Sequence, residues 1–217
     1  MPTVVAISDL HGLLPDDLPR GDLLVIAGDV CPVHDHAVGF QHRWLEESFY
    51  PWLDVLPHAE VAWIAGNHDF VCQIPQWKPG GRGHYLRDEE VELCGLSVHG
   101  TPWVPNLPRW AFYATEAELA RRSEAIGAVD VLVSHGPPYG IGDLVTRGEH
   151  VGSDPLRKRL KKEPWPLCVF GHIHEAYGSW RLGEALYANV AAVDELYEPR
   201  ANAAMRFEVS GGRAEVI

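Results

Sequence analysis

The sequence predicts an α/β protein whose strands end at one common site. Two observations carry this prediction: short apolar runs alternate with helix-like segments, and five of those runs end in polar motifs. Open α/β sheets place their chemistry beyond the carboxyl ends of their strands, so motifs at strand ends are expected to lie close together. The five motifs are Asp9-Leu10-His11, Gly28-Asp29, Gly66-Asn67-His68-Asp69, Ser134-His135-Gly136 and Gly171-His172-Ile173-His174.

Apolar runs and turn residues predict the elements of the first half. Nearly continuous apolar runs predict buried strands over 3–8, 23–28 and 61–65. A helix is expected over roughly 36–56, with Pro51 in its last stretch, and the segment 69–88 is expected to be an irregular loop because it is rich in glycine and proline. Two runs at 91–93 and 96–99, separated by Cys94-Gly95, predict a hairpin.

The second half continues with loops, two helices and more strands. Thr115 and Glu118 have the spacing of a capping box, which predicts a helix running to about Ile126. Asp154-Pro155 predicts a second helix start. Segments 101–113 and 136–153 are expected to be loops. The strand candidates are 130–134, 167–170, 178–182, 185–189, 204–209 and 213–217, and the last four predict a β-rich end that pairs onto a second sheet.

Composition fits a single globular domain over residues 1–217, with 46% hydrophobic and 22% charged residues. The formal charge of −12 argues against duplex nucleic acid and an anionic membrane as partners. Two divalent cations would add +4 and bring −12 to −8, so a small anionic substrate stays compatible. No apolar run approaches the ~20 residues that span a bilayer. The start Met1-Pro2-Thr3 has no signal-peptide pattern, so we expect a cytoplasmic protein.

The four cysteines do not resemble a cysteine-based site. They lie at 31, 72, 94 and 168 and form no Cys-x-x-Cys pair, which argues against a zinc knuckle and a thioredoxin-type redox site. We expect buried, small hydrophobic residues in a reducing compartment.

Two of the polar motifs contain paired metal-binding residues. Asp9 and His11 are two residues apart, and His172 and His174 share that spacing. In an extended segment such side chains point the same way. Each pair is therefore expected to approach a metal ion from one side.

The remaining motifs complete a candidate site for two metals. Asp29 could bridge two ions with its two oxygens, while Asn67 and His135 offer an amide oxygen and an imidazole. Nitrogen and oxygen ligands without thiolate suit Mn, Fe, Zn or Ni. Two ions about 3.5–4 Å apart clamp the attacking and leaving oxygens of a displacement and acidify a shared water. His68 should face the open pocket, where it could stabilise a phosphoryl oxygen or protonate a leaving alkoxide.

The five motifs, in this order, resemble those of the calcineurin-like metallophosphoesterase superfamily. Sequences flanking them, at 100–103, 134–138 and 171–178, are similar to the metallophosphoesterase-domain-containing branch, a group similar to class III cyclic-nucleotide phosphodiesterases. The resemblance implies a four-layer αββα sandwich of two mixed β-sheets flanked by helices. Some animal members of this branch carry glycine at the position of His172 and are weak enzymes, so the histidine here implies a competent second metal.

The resemblance also implies how the ligands are shared and which residue acts as an acid. It implies that His68 is the catalytic acid and that Asp69, where the family often has glutamate, could orient it. The implied ligands are Asp9, His11, Asp29 and His174 for metal one, and Asp29, Asn67, His135 and His172 for metal two.

Substrate contacts are expected from Asn67, His68, Trp103 and Arg109. Aromatic residues could stack on a nucleobase or aryl group, although core packing is the commoner role, and a lone loop arginine is more often solvated. The aromatic candidates are Trp103, Trp110, Phe112 and Tyr139. The remaining histidines are assigned no chemistry: His34, His36, His42, His58, His84, His99 and His150.

The leading hypothesis is a dinuclear metal-dependent phosphodiesterase. It would hydrolyse small diesters such as cyclic nucleotides by attack of a metal-bridged hydroxide. One alternative keeps the reaction class and changes the substrate, giving a phosphomonoesterase or a phosphoprotein phosphatase. Another is a nucleotide-binding or scaffold protein with weak or no turnover. The motifs do not separate diesters from monoesters, and they make no prediction of oligomeric state.

Overall fold

A computed structural model describes all 217 residues. Its twelve strands form two six-stranded sheets, with the orders β12-β11-β1-β2-β3-β4 and β5-β6-β7-β8-β10-β9. In chain order the strands are β1 (Thr3–Ile7), β2 (Leu23–Ala27), β3 (Glu60–Ile64), β4 (His84–Tyr85), β5 (Glu89–Leu93), β6 (Leu96–Thr101), β7 (Val131–Ser134), β8 (Leu167–Phe170), β9 (Gly178–Leu182), β10 (Ala185–Asn189), β11 (Met205–Ser210) and β12 (Arg213–Val216).

The helices cover the outer faces of the two sheets. They are α1 (Val38–Trp44), a π-helical segment (Leu45–Phe49), α2 (Tyr50–Val55), α3 (Phe70–Gln73), α4 (Glu116–Ala125) and α5 (Asp154–Lys162), and a short 3-10 turn follows at His174–Ala176. Thr115 caps α4 through both halves of the expected capping box. None of these helices is long and apolar enough to cross a membrane.

Three buried clusters define four layers. Between the sheets lie small and branched residues such as Val4, Ala6 and Val133. The outer face of the first sheet packs on Leu45 and Phe49 of the π-helical segment, among other residues. A third cluster joins α5 to the outer face of the second sheet. This arrangement confirms the predicted αββα sandwich.

Strand direction brings the polar motifs together. β1, β2 and β3 run parallel in the first sheet, and β7 and β8 run parallel in the second. The bridge between Ser8 and Ala191 joins the chain just after β1 to the chain just after β10. The carboxyl ends of strands from both sheets therefore meet at one end of the sandwich.

Two expectations for the first half of the chain, one for a helix and one for a loop, need correction. The segment predicted as one helix over 36–56 is helical, but its middle turn is π-helical and is followed by Tyr50 and Pro51 at the start of α2. Proline cannot donate to the carbonyl four residues earlier, and a wider turn accommodates that loss. The segment 69–88 also contains regular structure, because α3 and β4 lie within it.

The end of the chain is β-rich, but it does not all join the second sheet as expected. β9 and β10 do so, whereas β11 returns to the first sheet and pairs antiparallel with β1. Turn signals locate these strands without specifying their partners. All four cysteines are free, and Cys94 is only half-buried because it lies in the turn between β5 and β6.

Candidate metal centre

Four of the seven expected ligands have left-handed backbone conformations. Their φ angles are 53° at Asp9, 47° at His11, 52° at Asp29 and 68° at His172. The expectation that Asp9 and His11 lie in an extended segment is therefore wrong, and sharp turns bring their side chains together instead. Such conformations are unusual for residues other than glycine and concentrate at functional sites.

The first cluster consists of Asp9, His11 and His174, whose ligand atoms lie within 4.8 Å of one another. The Nε2 atoms of the two histidines face each other across 3.2 Å. Oδ1 of Asp9 lies 3.4 Å from Nε2 of His174. The other ring nitrogen of His174 contacts the carbonyl oxygen of Asp194 at 3.1 Å, which orients Nε2 inward.

The second cluster consists of Asp29, His135 and His172, so the expectation that His172 and His174 approach one metal ion as a pair is wrong. Nε2 of His135 lies 3.0 Å from Oδ1 of Asn67 and 3.4 Å from Oδ2 of Asp29. Its Nδ1 contacts the carbonyl oxygen of Ala27 at 2.8 Å, again an outer contact that fixes the ring. The amide oxygen expected from Asn67 thus lies beside this cluster.

One carboxylate oxygen of Asp29 lies between the two clusters. Its Oδ2 is 3.4 Å from Nε2 of His135 and 3.9 Å from Nε2 of His11. Its Oδ1 already accepts the backbone N–H of His68 at 2.7 Å. Oδ2 is thus the oxygen that faces an imidazole of each cluster, whereas Oδ1 lies against the backbone of His68.

The electrostatics favour ligand-competent forms of Asp9, His11 and His172, whereas the hydrogen bond and charge of Asp9 outweigh burial and raise the pKa of His174. Burial lowers the pKa of His11 to about 4 and the pKa of His172 to about 3, so both rings are neutral, the state that binds metal. Burial alone would raise the pKa of Asp9, but its hydrogen bond and charge interaction with His174 lower that pKa to about 2. Nitrogen and carboxylate donors packed this closely fit divalent cations.

His135 behaves differently. Burial acts to lower its pKa, but the charge of Asp29 and a hydrogen bond to it outweigh burial and raise that pKa to about 9. In the metal-free chain this ring is therefore protonated at neutral pH. A metal ion must displace that proton before His135 can act as a ligand.

Close packing at the site requires a residue without a side chain at Gly171. A Cβ atom there would lie 2.0 Å from Oδ2 of Asp9 and 2.2 Å from Oγ of Ser8. The backbone N–H of the next residue, His172, donates to both carboxylate oxygens of Asp9, at 2.9 and 3.1 Å. The close approach of the fifth motif to the first therefore depends on glycine.

An open cleft of about 430 Å³ leads to the clusters. His68 lies in it, with a side chain that is almost entirely buried. The ring centroid of His68 is 4.5 Å from that of Trp110 and 6.5 Å from that of Tyr197. The residues lining the cleft are Asp29, Asn67, His68, Leu107, Trp110, Thr146, His172, His174, Glu175, Glu195 and Tyr197.

Asp69 does not orient the ring of His68, contrary to expectation. Its buried carboxylate instead accepts three backbone N–H groups, from Gly66 at 2.8 Å, Cys31 at 2.8 Å and Val30 at 3.2 Å. It thereby holds the loop after β3 against the loop after β2. With these three contacts, the carboxylate of Asp69 makes no hydrogen bond to the imidazole of His68.

Two expected substrate contacts lie outside the cleft. Nε1 of Trp103 donates to Asp88 at 2.8 Å, and the guanidinium of Arg122 lies 3.7 Å from the ring centroid of Trp103. Arg109 is exposed and is not among the residues that line the cleft. The loop 101–113 contributes Leu107 and Trp110 instead.

Sequence reasoning missed two residues beside His68. His36 was assigned no chemistry, yet its Nε2 lies 2.9 Å from Nδ1 of His68. Tyr197 lies beyond the last motif, and its ring centroid is 5.0 Å from that of His11. Neither belongs to a spaced motif, so no pattern in one sequence identifies them.

A larger cavity of about 600 Å³ lies elsewhere, between the segments 13–19 and 199–206. Most of its lining residues are hydrophobic, and it contains neither metal-binding cluster. The candidate chemistry therefore belongs to the smaller cleft.

The fold and the paired clusters define the class of protein, and comparison with known proteins gives its family. A family model described as calcineurin-like phosphoesterase matches residues 2–176. This chain belongs to that family and is a metal-dependent phosphoesterase with two candidate metal sites.

Two relatives are similar over most of this chain. Metallophosphoesterase domain-containing protein 1 of Homo sapiens is 30% identical over 90% of the chain, which spans 67% of that protein. The UPF0046 protein T07D4.2 of Caenorhabditis elegans is 37% identical over 88% of the chain, which spans 56% of that protein. These similarities support the branch indicated by the flanking sequences.

Solved structures share the fold at low sequence identity. One crystal structure aligns over 100% of this chain and 99% of its own, with a TM-score of 0.64 and 15% identity. The phosphopantetheinyl hydrolase of Mycobacterium tuberculosis aligns over 88% of this chain and 89% of its own, with a TM-score of 0.52 and 17% identity. At these identities the likeness concerns the fold alone.

Proposed function

We propose that this metallophosphoesterase is a phosphodiesterase for compact diesters such as cyclic nucleotides. The observation that carries the proposal is the position of Asp29, whose Oδ2 faces both clusters while its Oδ1 holds the backbone of His68. One carboxylate thus links the two candidate metal sites to the candidate acid. That arrangement suits the displacement of one oxygen at phosphorus by another.

The residues would divide the work between metal binding and proton transfer. Asp9, His11 and His174 would hold one divalent cation, and Asn67, His135 and His172 the other, with Asp29 shared between them. When bound, such cations act as Lewis acids that neutralise phosphoryl charge and acidify water. His68, in the same cleft, would give a proton to the leaving oxygen.

The charge of the cleft supports a diester over a monoester. None of its eleven lining residues is lysine or arginine, and Glu175 and Glu195 add negative charge at its edge. A phosphomonoester carries about −1.5 to −2 near neutral pH, whereas a diester carries a single negative charge. The bound cations would attract either ester, but a monoester would meet greater repulsion from Glu175 and Glu195 with no compensating cationic side chain.

The size and walls of the cleft support a small substrate with a flat group. Its volume of about 430 Å³ lies within the range of small-molecule sites. Trp110 and Tyr197 both line the cleft near His68, at centroid distances of 4.5 and 6.5 Å, and offer aromatic surfaces. A nucleobase or aryl group could stack there.

The test compares bis(4-nitrophenyl) phosphate with 4-nitrophenyl phosphate, using purified chain loaded with Mn²⁺. We expect diester turnover at least about tenfold faster, a difference of about 1.4 kcal/mol in activation free energy. Faster monoester turnover would favour a phosphomonoesterase. If metal analysis gives about two ions per chain and neither ester reacts with any of several metals, the catalytic proposal fails. Measurable nucleotide affinity would then favour a binding protein.

A further inference from the structure

The backbone of His68 is fixed from both sides. Its N–H donates to Oδ1 of Asp29 at 2.7 Å, and its carbonyl oxygen accepts Nε2–H of Gln41 at 2.7 Å. Oε1 of Gln41 accepts the backbone N–H of Val71 at 3.0 Å, which anchors the amide in turn. These contacts place the residue but leave the rotation and tautomer of its imidazole undetermined.

The ring of His68 has one hydrogen-bonding partner, His36. Nε2 of His36 lies 2.9 Å from Nδ1 of His68. The ring of His36 packs against Phe70 and Trp110, at centroid distances of 5.3 and 5.4 Å. Just before α1, Asp35 accepts the backbone N–H of the residue after His36 at 2.8 Å, which shapes this turn. His36 is therefore itself held in place.

We propose that His36 is the positioning residue for His68. Its Nε2 accepts the Nδ1–H of His68, which leaves Nε2 of His68 as the atom that exchanges a proton with the leaving group. This assignment rests on the proposed phosphodiesterase function. Asp69 cannot fill the role, because its carboxylate is occupied by three backbone N–H groups.

An accepting His36 must be neutral, and its surroundings favour that state. Burial, followed by the neighbouring charge of His68, lowers the pKa of His36. A neutral imidazole carries one donor and one acceptor nitrogen. With its own proton on Nδ1, His36 presents an acceptor at Nε2.

The proton balance of the step follows from this contact. The oxygen of the attacking water forms a bond to phosphorus, and the bond from phosphorus to the leaving oxygen breaks with its electron pair staying on the leaving oxygen. The Nε2 proton of the His68 imidazolium passes to the same oxygen and gives the product alcohol. His68 becomes neutral, and its Nδ1–H stays hydrogen-bonded to Nε2 of His36. The proton lost by the attacking water is available to restore the imidazolium.

A series of methyl aryl phosphodiesters tests the role of His36. With Mn²⁺ bound, His36→Ala should slow release of the basic phenolate at least about tenfold more than release of 4-nitrophenolate, because only the basic leaving group needs an acid. His68→Ala should show the same selective loss. His36→Gln should restore most of the rate, because its amide oxygen can accept the Nδ1–H. Equal losses on both substrates would overturn the proposal.

A matched control is His34→Ala, in the same loop. His34 is exposed and packs on Phe40, at a centroid distance of 5.0 Å. It should leave the dependence on the leaving group unchanged. A selective loss as large as that of His36→Ala would contradict the assignment to His36.

A second readout is independent of turnover. In the metal-free chain labelled with ¹⁵N-histidine, long-range ¹H–¹⁵N spectra of the neutral ring report which nitrogen of His68 carries its proton. We expect Nδ1 in the wild type and in His36→Gln, and a shift towards Nε2 in His36→Ala. A wild-type proton on Nε2 would overturn the proposal. If the wild type hydrolyses no diester, the proposed function fails, and these spectra still decide the contact.

Discussion

Oδ1 of Asp29 accepts the backbone N–H of His68 across 2.7 Å. The other oxygen, Oδ2, lies 3.4 Å from Nε2 of His135 and 3.9 Å from Nε2 of His11, one imidazole from each cluster. The hydrogen bond to Oδ1 fixes where the imidazole of His68 enters the cleft. The two candidate metal sites and the proposed acid are therefore linked through a single side chain, and a change at Asp29 should affect both.

Asp29→Asn should lose the second ion and most of the activity. An amide keeps the size of the side chain but lacks the negative charge that a shared ligand supplies. Loss of an outer partner of a metal ligand costs about 10–100-fold in affinity or activity, so loss of the shared ligand should cost at least that much. Metal analysis with matched kinetics measures both quantities. Two tightly bound ions with near-normal turnover would contradict the shared position.

Binding of Mn²⁺ should release a proton from His135 at neutral pH. The charge of Asp29 and a hydrogen bond to it outweigh burial and raise the pKa of His135 to about 9, so the metal-free ring carries a proton that the metal must displace. Affinity should therefore fall as pH drops below about 9, by about tenfold per unit for one proton. Calorimetry in two buffers of different ionisation enthalpy counts the proton. Affinity that is independent of pH between 7 and 9 would refute this.

Gly171→Ala should weaken metal binding and destabilise the fold. The added methyl would lie 2.0 Å from Oδ2 of Asp9, so the ligand or the strand end must move. Overpacking of this kind costs about 1–3 kcal/mol.

Gly39→Ala is the matched control, because Gly39 lies in α1 and a methyl added there meets nothing within 4 Å. The control should stabilise the chain by up to about 1 kcal/mol. Denaturant unfolding and Mn²⁺ titration measure both variants, and equal effects would contradict the steric account.

Two tryptophans of one loop should give opposite phenotypes. Trp110→Ala should raise the KM for an aryl diester several-fold, since its ring lines the cleft beside His68. Trp103→Ala should lower the free energy of unfolding and leave KM near the wild-type value, because Trp103 contacts Asp88 and Arg122 instead. Steady-state kinetics and thermal unfolding distinguish them. If KM rose in Trp103→Ala alone, the result would support the substrate contact of Trp103 that was expected from the sequence.

The resemblance of the five motifs to the metallophosphoesterase superfamily implied the αββα fold, and the motifs themselves contain the residues that the structure gathers into the two clusters. Motif order and strand-end context carry that information, because parallel strands bring distant residues to one edge. Contacts between loops leave no comparable pattern in the sequence. For that reason the roles of His36 and Asp69 could not be read from spacing, and the directions of Trp103 and Trp110 could not be told apart. The return of β11 to the first sheet was missed because strand signals do not name partners.

The most direct test is a crystal structure of the Mn²⁺-loaded chain with anomalous scattering recorded at the manganese edge. The central claim is that one oxygen of Asp29 joins two metal sites. We predict two anomalous peaks per chain, one beside Asp9, His11 and His174 and one beside Asn67, His135 and His172, with Oδ2 of Asp29 contacting both. A single peak, or two peaks of which Asp29 contacts only one, would contradict the account.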